Sequence, residues 1–562
     1  MLLLSSGMPM IGQTVITTPL GMNTDMAKDF PTSRRGTILS ESLRTPRPDT
    51  RAGGDAIIPD MGDPIEQQPV GIEKVYTRNS AGFWSFFNTV YVSVWEEGAA
   101  MLVEGEDGMV YIGEPFSGLY TGTWLKCSRT GDKLVAQLPQ PMFTEYYGET
   151  GYVLYAVRMT LKQTDSENFT YEMSENQTVT FSILENGGLR LDMPADFNEE
   201  EEFAPEILGL CTEEGYWSGV GDWRQTYTPF DGENLKPTDD LTTSQWAMTS
   251  NGMGEFVNVG IKDNEVWIQG FDKEVPDSWI RGEIKDGKVQ FVVPQLLGFN
   301  REAARIDYFT AADGEKVWNE EWEDNMTVYT QLPEVTFDYD SDAQLMVLSE
   351  KNENTVLMVN DKKDEIYSHG PDYSSIRFRL QTKDFEPIPM DPVLTYYMPY
   401  TEEYGFAILY FDLPYVTNDG YILDRDKLFY KFYVDLDEWV FYKDEYEGLE
   451  EDMTMVPHYF DNGYTIGYLS GLMHMVCVYA NGFENLGVRS VYKDGEEEYN
   501  SYLVYFTPDD NDATDCLQSD EYAQVDYYNL QGIKLSQPER GINIRKICFK
   551  NGTSRTDKII LK

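Results

Sequence analysis

Two short stretches of this chain carry aromatic side chains that could bind a ligand by ring stacking. Trp217 and Trp223 lie in the glycine-rich segment GYWSGVGDW, where a ligand could approach the backbone closely. Tyr396 and Tyr397 open a second group of tyrosines. We therefore take these four residues as candidate ligand-binding residues, with a sugar as the ligand that such rings suit. The alternative is that the rings fill a core or a seam between modules.

Three alternating aspartates, Asp338, Asp340 and Asp342, lie in the segment FDYDSDAQ and form a candidate metal site. Hard cations such as calcium prefer several oxygen ligands from loops of this kind. The segment lacks the twelve-residue spacing of an EF-hand, so a solvated turn is the alternative. Calcium is the only cofactor that the sequence suggests.

Motifs for catalysis are missing from the sequence. There is no G-x-S-x-G, H-E-x-x-H, Walker A or dinucleotide-binding pattern, and there are only three histidines. We predict no catalytic residues and a protein that is not an enzyme. The alternative is a secreted polymer hydrolase with two paired carboxylates. With 96 acidic residues in the chain, chance pairs are too frequent to single out any two.

The composition excludes several classes of partner. The net charge of −52 repels phosphate backbones and anionic lipid, so we expect neither nucleic acid nor a membrane surface as a partner. No apolar run is long enough to span a bilayer. The five cysteines are scattered and never spaced C-x-x-C, which predicts neither a zinc site nor a disulfide framework. A soluble monomer is the simplest reading of such a charge.

The elements that must position these side chains are predicted to be β-strands, and they are duplicated. Aromatics make up 14% of the chain and turn residues are abundant, which favours sheet over helix. The segment from Met109 to Gln140 recurs from Glu265 to Gln295, with Trp124 matching Trp279. A duplication of this kind is typical of serial non-catalytic modules.

Alternating residues and turn signals support the duplication. Leu134, Ala136 and Leu138 share the parity of Val289, Phe291 and Val293, so the same face should be buried in both copies. Gly-Asp at 131–132 and Asp-Gly at 286–287 predict two tight hairpins. We therefore predict an all-β, multidomain protein with two duplicated β-sandwich-like modules.

The predicted domain limits follow from the repeat and from changes in composition. Residues 1–14 are interpreted as the remnant of a signal peptide, although the basic start of such a peptide is missing. The remaining limits are 15–69 for a strand with a disordered insert, 70–200 and 201–350 for the two modules, 351–510 for a β-sandwich, and 511–562 for a small C-terminal β-domain.

Two resemblances refine the last two domains. The segment Gly487–Val504 resembles the final strand pair of a fibronectin type III domain, and the whole resemblance covers about a hundred residues. The segment VDYYNLQGIKL at 525–535, followed by RGINI and a basic final strand, resembles the C-terminal sorting domain of type IX secretion. Residues 533–562 carry eight basic and two acidic residues, in contrast to the acidic remainder.

The sorting resemblance implies contact with a secretion machinery and a location outside the cell or on a bacterial surface. The order of the parts is similar to that of uncharacterised secreted proteins, a group that implies no catalytic residues. We therefore expect a non-catalytic binding or adhesion protein. Its ligand would be an extracellular glycan or a host protein, bound through loops and module seams.

Overall fold

The computed structural model is an all-β protein with several separate sheets, as the sequence predicts. It describes most of the chain from residue 57 to residue 506 and four strands near the C-terminus. The described ranges are 57–59, 61–86, 89–116, 122–147, 150–163, 169–193, 204–319, 324–349, 354–366, 373–402, 404–435, 437–463, 465–479, 482–483, 485–506, 522–529, 534–535, 541–549 and 554–561. The predicted signal remnant at 1–14 and most of 15–69 lie outside these residues.

The first module is a closed eight-stranded barrel with a small sheet at its side. Its barrel order is β1-β2-β3-β4-β5-β9-β10-β12, and β12 pairs with β1 to close the ring. The lateral sheet is centred on β7, which pairs with β6, β8 and β11. The strands are β1 (Gly71–Phe86), β2 (Thr89–Gly105), β3 (Val110–Gly113), β4 (Trp124–Thr130), β5 (Lys133–Gln137), β6 (Gln140–Tyr147), β7 (Thr150–Gln163), β8 (Phe169–Met173), β9 (Thr178–Ile183), β10 (Leu189–Leu191), β11 (Glu206–Cys211) and β12 (Trp217–Pro229).

The second module repeats the order of the barrel strands and of the lateral strands, but its lateral sheet is separate, whereas β11 joins the lateral sheet of the first module to β12. Its closed barrel is β13-β14-β15-β16-β17-β21-β22-β24, and β19 pairs with β18, β20 and β23 in the lateral sheet. The strands are β13 (Thr243–Ser250), β14 (Met253–Lys262), β15 (Glu265–Gln269), β16 (Trp279–Lys285), β17 (Lys288–Val292), β18 (Gln295–Asn300), β19 (Arg305–Asn319), β20 (Asp324–Gln331), β21 (Glu334–Asp340), β22 (Leu345–Leu348), β23 (Thr355–Asn360) and β24 (Arg377–Leu380). The sequence predicted the duplication, and the structure adds that each copy is a closed barrel.

A matched glutamine forms the same pair of hydrogen bonds in both copies. Lys126 N donates to Gln140 Oε1 at 2.9 Å, and Gln140 Nε2 donates to Lys126 O at 2.8 Å. In the second copy Arg281 N donates to Gln295 Oε1 at 2.7 Å, and Gln295 Nε2 donates to Arg281 O at 2.8 Å. Each glutamine thereby ties the start of the lateral sheet to the barrel strand beneath it.

The barrel interiors are filled by the side chains whose alternation marked them as core. Leu134 and Ala136 are 1% and 0% exposed, and Val289 and Phe291 are 0% and 1% exposed, which confirms the predicted parity. The predicted tight hairpins are also present, since Thr130 pairs with Lys133 and Lys285 pairs with Lys288 across two-residue turns.

At one pair of neighbouring core positions, the two copies carry the larger side chain on different strands. Cys127 and Ala136 of the first barrel correspond to Gly282 and Phe291 of the second. A Cβ atom at Gly282 would lie 3.0 Å from the ring of Phe291. The ring of Phe291 therefore fits only because position 282 has no side chain, as expected for a closely packed core. Cys127 is buried, which raises the pKa of its thiol to about 12 and makes it an inert core group.

Trp124 and Trp279 occupy the same position on the outer wall of each barrel but differ in cover. Trp124 pairs with Gly113, and Trp279 pairs with Gln269 at the equivalent point. Trp124 is 5% exposed because it packs in a cluster that Phe299 of the second module joins. Trp279 is half-buried and meets Trp267 edge-on at 6.5 Å. Neither indole lies inside a barrel.

The strands that close each barrel come from beyond the predicted module limits. β12 ends at Pro229 and β24 ends at Leu380, so the limits at residues 200 and 350 fall inside the modules. A described residue before the first strand also packs on this module, because Ile58 is 3% exposed and its amide donates to Glu213 O at 3.0 Å. Closure is a long-range pairing that local patterns do not encode.

The third domain is a sandwich of two antiparallel sheets over one core. One sheet has the order β25-β26-β31-β30, and the other contains β28-β27-β32-β33 with β29 and β34 at its sides. A single 3₁₀ turn at Arg425–Lys427 is the only helical element among the described residues. The strands are β25 (Val393–Met398), β26 (Ala407–Asp412), β27 (Leu428–Val434), β28 (Asp437–Glu438), β29 (Val456–Pro457), β30 (Ile466–Ser470), β31 (Met473–Val478), β32 (Leu486–Asp494), β33 (Glu497–Asn500) and β34 (Val504–Phe506).

The C-terminal strands form a separate small antiparallel sheet. Its order is β36-β35-β37-β38, with β35 (Tyr522–Asn529), β36 (Lys534–Leu535), β37 (Gly541–Phe549) and β38 (Ser554–Leu561). The segments that carry the resemblance to a sorting domain are therefore strands of one sheet. In the described part of the chain, no helix is long and apolar enough to cross a membrane.

Candidate ligand-binding face

The sheet β25-β26-β31-β30 has one face in the sandwich core and one face that points outward. The row Tyr397, Leu409, Val476 and Ile466 packs inward against the other sheet. Because side chains alternate along a strand, the neighbouring row must point outward. That row begins at Tyr396 and gives the outer face its character.

The outer face is apolar and water reaches part of it: Tyr396 and Met473 are 42% and 38% exposed, whereas Ile408 and Cys477 are 8% and 1% exposed. Tyr396 lies opposite Tyr410, which lies opposite Met475. The next rows add further apolar side chains, so the strong hydrogen-bonding groups at the paired outward positions are the hydroxyls of Tyr396, Tyr410 and Ser470 and the carboxyl of Asp412. The outward residues are Val393, Tyr396, Met398, Ile408, Tyr410, Asp412, Ser470, Met473, Met475 and Cys477.

Five aromatic rings concentrate at one end of this face. The rings of Tyr396 and Tyr410 lie 5.8 Å apart between centroids. Phe406 meets Tyr479 edge-on at 6.1 Å and Tyr404 at 6.2 Å. We call these five residues the aromatic face. Tyr396, Tyr404 and Tyr479 are 42%, 55% and 43% exposed, so each offers a ring surface to a ligand.

One carboxyl group lies within the apolar surroundings of the outer face. Asp412 is half-buried, and this burial raises the pKa of its carboxyl. It pairs across the sheet with Val393 and Met473. The arrangement combines ring surfaces with a hydrogen-bonding group, which is the usual composition of a ligand site.

Of the two tyrosines that the sequence singles out here, the structure places only Tyr396 on the aromatic face. Tyr397 points inward, where it packs on the sandwich core and meets Phe483 at 6.3 Å. The sequence could not assign Tyr410 or Tyr479, because they reach the face through pairing of β26 with β25 and β31. Only the alternation of FAILYFD gave a local signal for Tyr410.

Trp217 and Trp223 lie in a buried aromatic cluster of the first module. They are 5% and 3% exposed, and Phe83 lies between them with centroids 5.6 and 4.8 Å away. Trp217 Nε1 donates to Val220 O at 3.0 Å. In this conformation neither indole presents a face to solvent, in line with the core alternative.

The glycines beside these tryptophans serve strand packing. A Cβ atom at Gly221 would lie 2.7 Å from Ile207 Cδ1 and 2.9 Å from Leu208 O. The space that a ligand would need is thus filled by the neighbouring strand β11. The glycine-rich segment is explained by the close approach of two strands.

The three aspartates of the candidate metal site do not converge. Asp338 pairs with Lys288 at 2.5 Å, and Asp340 Oδ1 accepts from the amides of Asp342 and Ala343 at 3.0 and 2.9 Å. All three are exposed. Within the described ranges, no group of three or more histidine, cysteine or acidic residues is arranged to hold a metal ion. The segment has the geometry of a capped, solvated turn.

Two groups of carboxyls are buried elsewhere. Glu114 is 4% exposed, and burial raises its pKa to about 7. In the second module Asp307 is 0% exposed and accepts from Arg305 Nε at 2.6 Å and Asn300 Nδ2 at 2.7 Å. Burial also raises the pKa of the neighbouring Asp272 to about 6. These carboxyls are closed off from any polymer.

Comparison with known proteins gives no further constraint: the chain matches no protein-family model, no curated protein and no solved structure.

Proposed function

We propose that this protein is a non-catalytic glycan-binding protein that acts outside the cell or on a bacterial surface. The observation that carries the proposal is the aromatic face, where three rings are exposed: Tyr396 on β25, Tyr404 in the turn before β26, and Tyr479 directly after β31. Sugar rings pack their C–H faces on aromatic side chains, while phenol and carboxyl groups accept or donate hydrogen bonds to hydroxyls. Asp412 and the tyrosine hydroxyls provide such groups.

The charge of the chain narrows the class of glycan. A net charge of −52 repels sulfated and uronic-acid polymers at moderate salt. A neutral polysaccharide meets no such repulsion. We therefore propose a neutral glycan as the ligand.

Replacing Tyr396 or Tyr479 with alanine is expected to weaken retention on a neutral polysaccharide about tenfold or more, because each loses an exposed ring surface. Affinity electrophoresis over a panel of neutral polysaccharides measures this. Trp318→Ala is the matched control, since Trp318 is 56% exposed but lies on β19 of the second module. Equal retention of the Tyr396→Ala, Tyr479→Ala and wild-type chains would refute the proposal.

A protein ligand is the second candidate, favoured by the methionines of the outer face. Met398, Met473 and Met475 form no strong hydrogen bonds to sugar hydroxyls, whereas tyrosine and methionine are enriched in protein interfaces. Binding of extracellular matrix proteins that is lost in Tyr396→Ala, together with no retention on any polysaccharide, would favour this candidate. The hydrolase alternative has weaker support, because the most buried carboxyls, including Glu114 and Asp307, lie where a polymer cannot reach.

We further propose that residues 511–562 direct export, on the basis of the resemblance to a type IX sorting domain. A reporter protein with its own signal peptide and this segment at its C-terminus is expected to reach the medium or cell surface in a bacterium with that pathway. Deletion of residues 554–561 from this fusion removes the edge strand β38, and the shortened fusion should stay in the periplasm. Equal export of both fusions would contradict this role.

A further inference from the structure

The seam between the second barrel and the sandwich contains a cleft that the proposed function does not use. It encloses about 320 Å³ and is lined on one side by Glu255 and Phe256 of β14. The other side belongs to the sandwich and includes Tyr415, Arg425 and Tyr459. A volume of this size is at the lower end of small-ligand sites.

The two walls are fixed to each other. Tyr415 N donates to Gly252 O at 3.1 Å across the seam. Arg377 Nη1 of β24 donates to Asn418 O at 2.8 Å. A Cβ atom at Gly254 would lie 2.6 Å from Ile422 Cγ1, so the barrel backbone packs directly on the sandwich. The cleft is therefore preformed, and a ligand need not order its walls.

An arginine is held between two rings in the wall of the cleft. The Arg425 guanidinium lies 4.5 Å from the ring centroid of Tyr415 and 5.1 Å from that of Tyr459. Among the described residues, no carboxylate forms an ion pair with Arg425 within 4.0 Å. Stacking fixes the guanidinium plane while its N–H groups remain able to donate.

Apolar ring surface and hydrogen-bonding groups thus converge from both modules. Phe256 is 49% exposed on the barrel side and Tyr459 is 44% exposed on the sandwich side. Asp426 is also exposed at the cleft, and Glu255 is half-buried there. Glu255 forms an ion pair with Lys273, which leaves Asp424 and Asp426 in the lining against the single Arg425, so the cleft disfavours an anion.

We infer that this cleft binds a single ring of a neutral sugar, with Phe256 and Tyr459 covering its apolar surfaces and Arg425 and Asp426 bonding its hydroxyls. The inference rests on the proposed function for the class of ligand, but it concerns a different surface. The aromatic face is open and suits a polymer, whereas the cleft admits one small unit. The protein would then hold an extended glycan at one place and a chain end or branch at another.

Titration of the full chain with D-glucose, D-galactose, D-mannose and N-acetyl-D-glucosamine, followed by calorimetry, tests the inference. At least one sugar should bind saturably with a millimolar Kd. Phe256→Ala and Asp426→Ala should each weaken that binding about tenfold. Both residues are exposed, so these variants are chosen to keep the fold, which the thermal midpoint checks.

The control is Tyr396→Ala, which should bind the monosaccharide as the wild type does while it loses retention on the polymer. If the wild-type chain binds a monosaccharide but is not retained on any polysaccharide, the proposed function is contradicted and the inference about the cleft is not. The inference is overturned if none of the four sugars binds saturably, or if both cleft variants bind as the wild type does. Saturable binding of inorganic phosphate that Arg425→Ala abolishes would also overturn it, because the cleft would then be an anion site.

Discussion

Replacing His458 with phenylalanine is expected to stabilise the sandwich most strongly at acid pH, by about 3 kcal/mol at pH 4. His458 is 0% exposed, and within the described residues neither ring nitrogen has a hydrogen-bond partner. Burial, aided by the charges of His474 and Arg425, lowers the pKa of His458 to about 3. The ring is otherwise surrounded by aromatic side chains, with Tyr459 and Tyr468 at 4.8 and 5.6 Å.

The direction of this pH effect on stability follows from the number of protons that the folded and unfolded states bind. The unfolded chain protonates this histidine below about pH 6.5, whereas the folded chain resists protonation down to about pH 3. The unfolded state therefore binds more protons in that window, and the sandwich loses stability as the pH falls through it. Phenylalanine removes the titrating group, so the variant should lose less stability between pH 6.5 and 4.

Hydrogen exchange of peptides from strand β32 (Leu486–Asp494) in the full chain reports this stability locally. His474→Phe is the contrasting variant, because both nitrogens of His474 lie 2.8 Å from backbone carbonyls, those of Leu472 and His458. It should destabilise the sandwich by about 1 kcal/mol even at pH 7. A His458→Phe variant with the same pH dependence as the wild type would show that His458 does not control the acid response.

Glu114→Gln is expected to stabilise the first barrel by about 3 kcal/mol at pH 8 and to change it little at pH 4.5. Burial raises the pKa of Glu114 to about 7, so the folded chain keeps a proton that the unfolded chain has released above about pH 4.5. Stability therefore falls as the pH rises from about 4.5 to 7. Glutamine reproduces the neutral form and retains an Oε1 that accepts from Gly122 N, now at 3.2 Å.

The readout is hydrogen exchange of β5 (Lys133–Gln137), a central strand of the first barrel, at pH 5 and pH 8 after correction for the intrinsic rate. Glu104→Gln is the matched control: Glu104 is 34% exposed and pairs with Lys74 at 2.9 Å, so its loss should cost less than about 1 kcal/mol. Equal effects of the two substitutions at pH 8 would contradict the assignment of a raised pKa to Glu114.

These two groups are expected to act in overlapping pH ranges, about 3 to 6.5 for His458 and about 4.5 to 7 for Glu114, with opposite effects on stability and in different modules. A lower pH should destabilise the sandwich through His458, whereas it should stabilise the first barrel because Glu114 becomes neutral. A global unfolding curve would average the two effects. Local measurements are needed because stability in a multidomain chain is not a single quantity.

Much of the architecture was predictable because local sequence patterns determine it. The alternation at Leu134 and Ala136 recurs at Val289 and Phe291, and a period of two assigns one face to the core wherever one face is buried. The Asp-Gly turn at 286–287 needs positive φ at both residues, and the structure gives 53° and 74°. Such features depend on residues that are close in sequence, so they can be predicted without knowledge of the fold.

The candidate site was only partly predictable. Alternation implies that Tyr396 and Tyr397 point to opposite sides, yet it does not say which side faces the core. The pairing of β25 with β26 settles this, because it aligns Tyr397 with the buried Leu409. The same limit applies to Trp217, whose glycine-rich surroundings fit a ligand pocket and a tight strand packing equally well until β11 is placed beside it.

The sequence by itself determined that the chain is built of strands, that one module is copied, which side chains fill each copy, and that familiar catalytic motifs are missing. The tertiary structure alone decided that each copy closes into a barrel, that Trp217 and Trp223 are buried, and that Tyr396 of β25, Tyr410 of β26 and Tyr479, which follows β31, share one face. The physical reason is range: parity and turns are set by adjacent residues, whereas closure and shared faces depend on pairings between distant segments, such as β1 with β12 about 150 residues later.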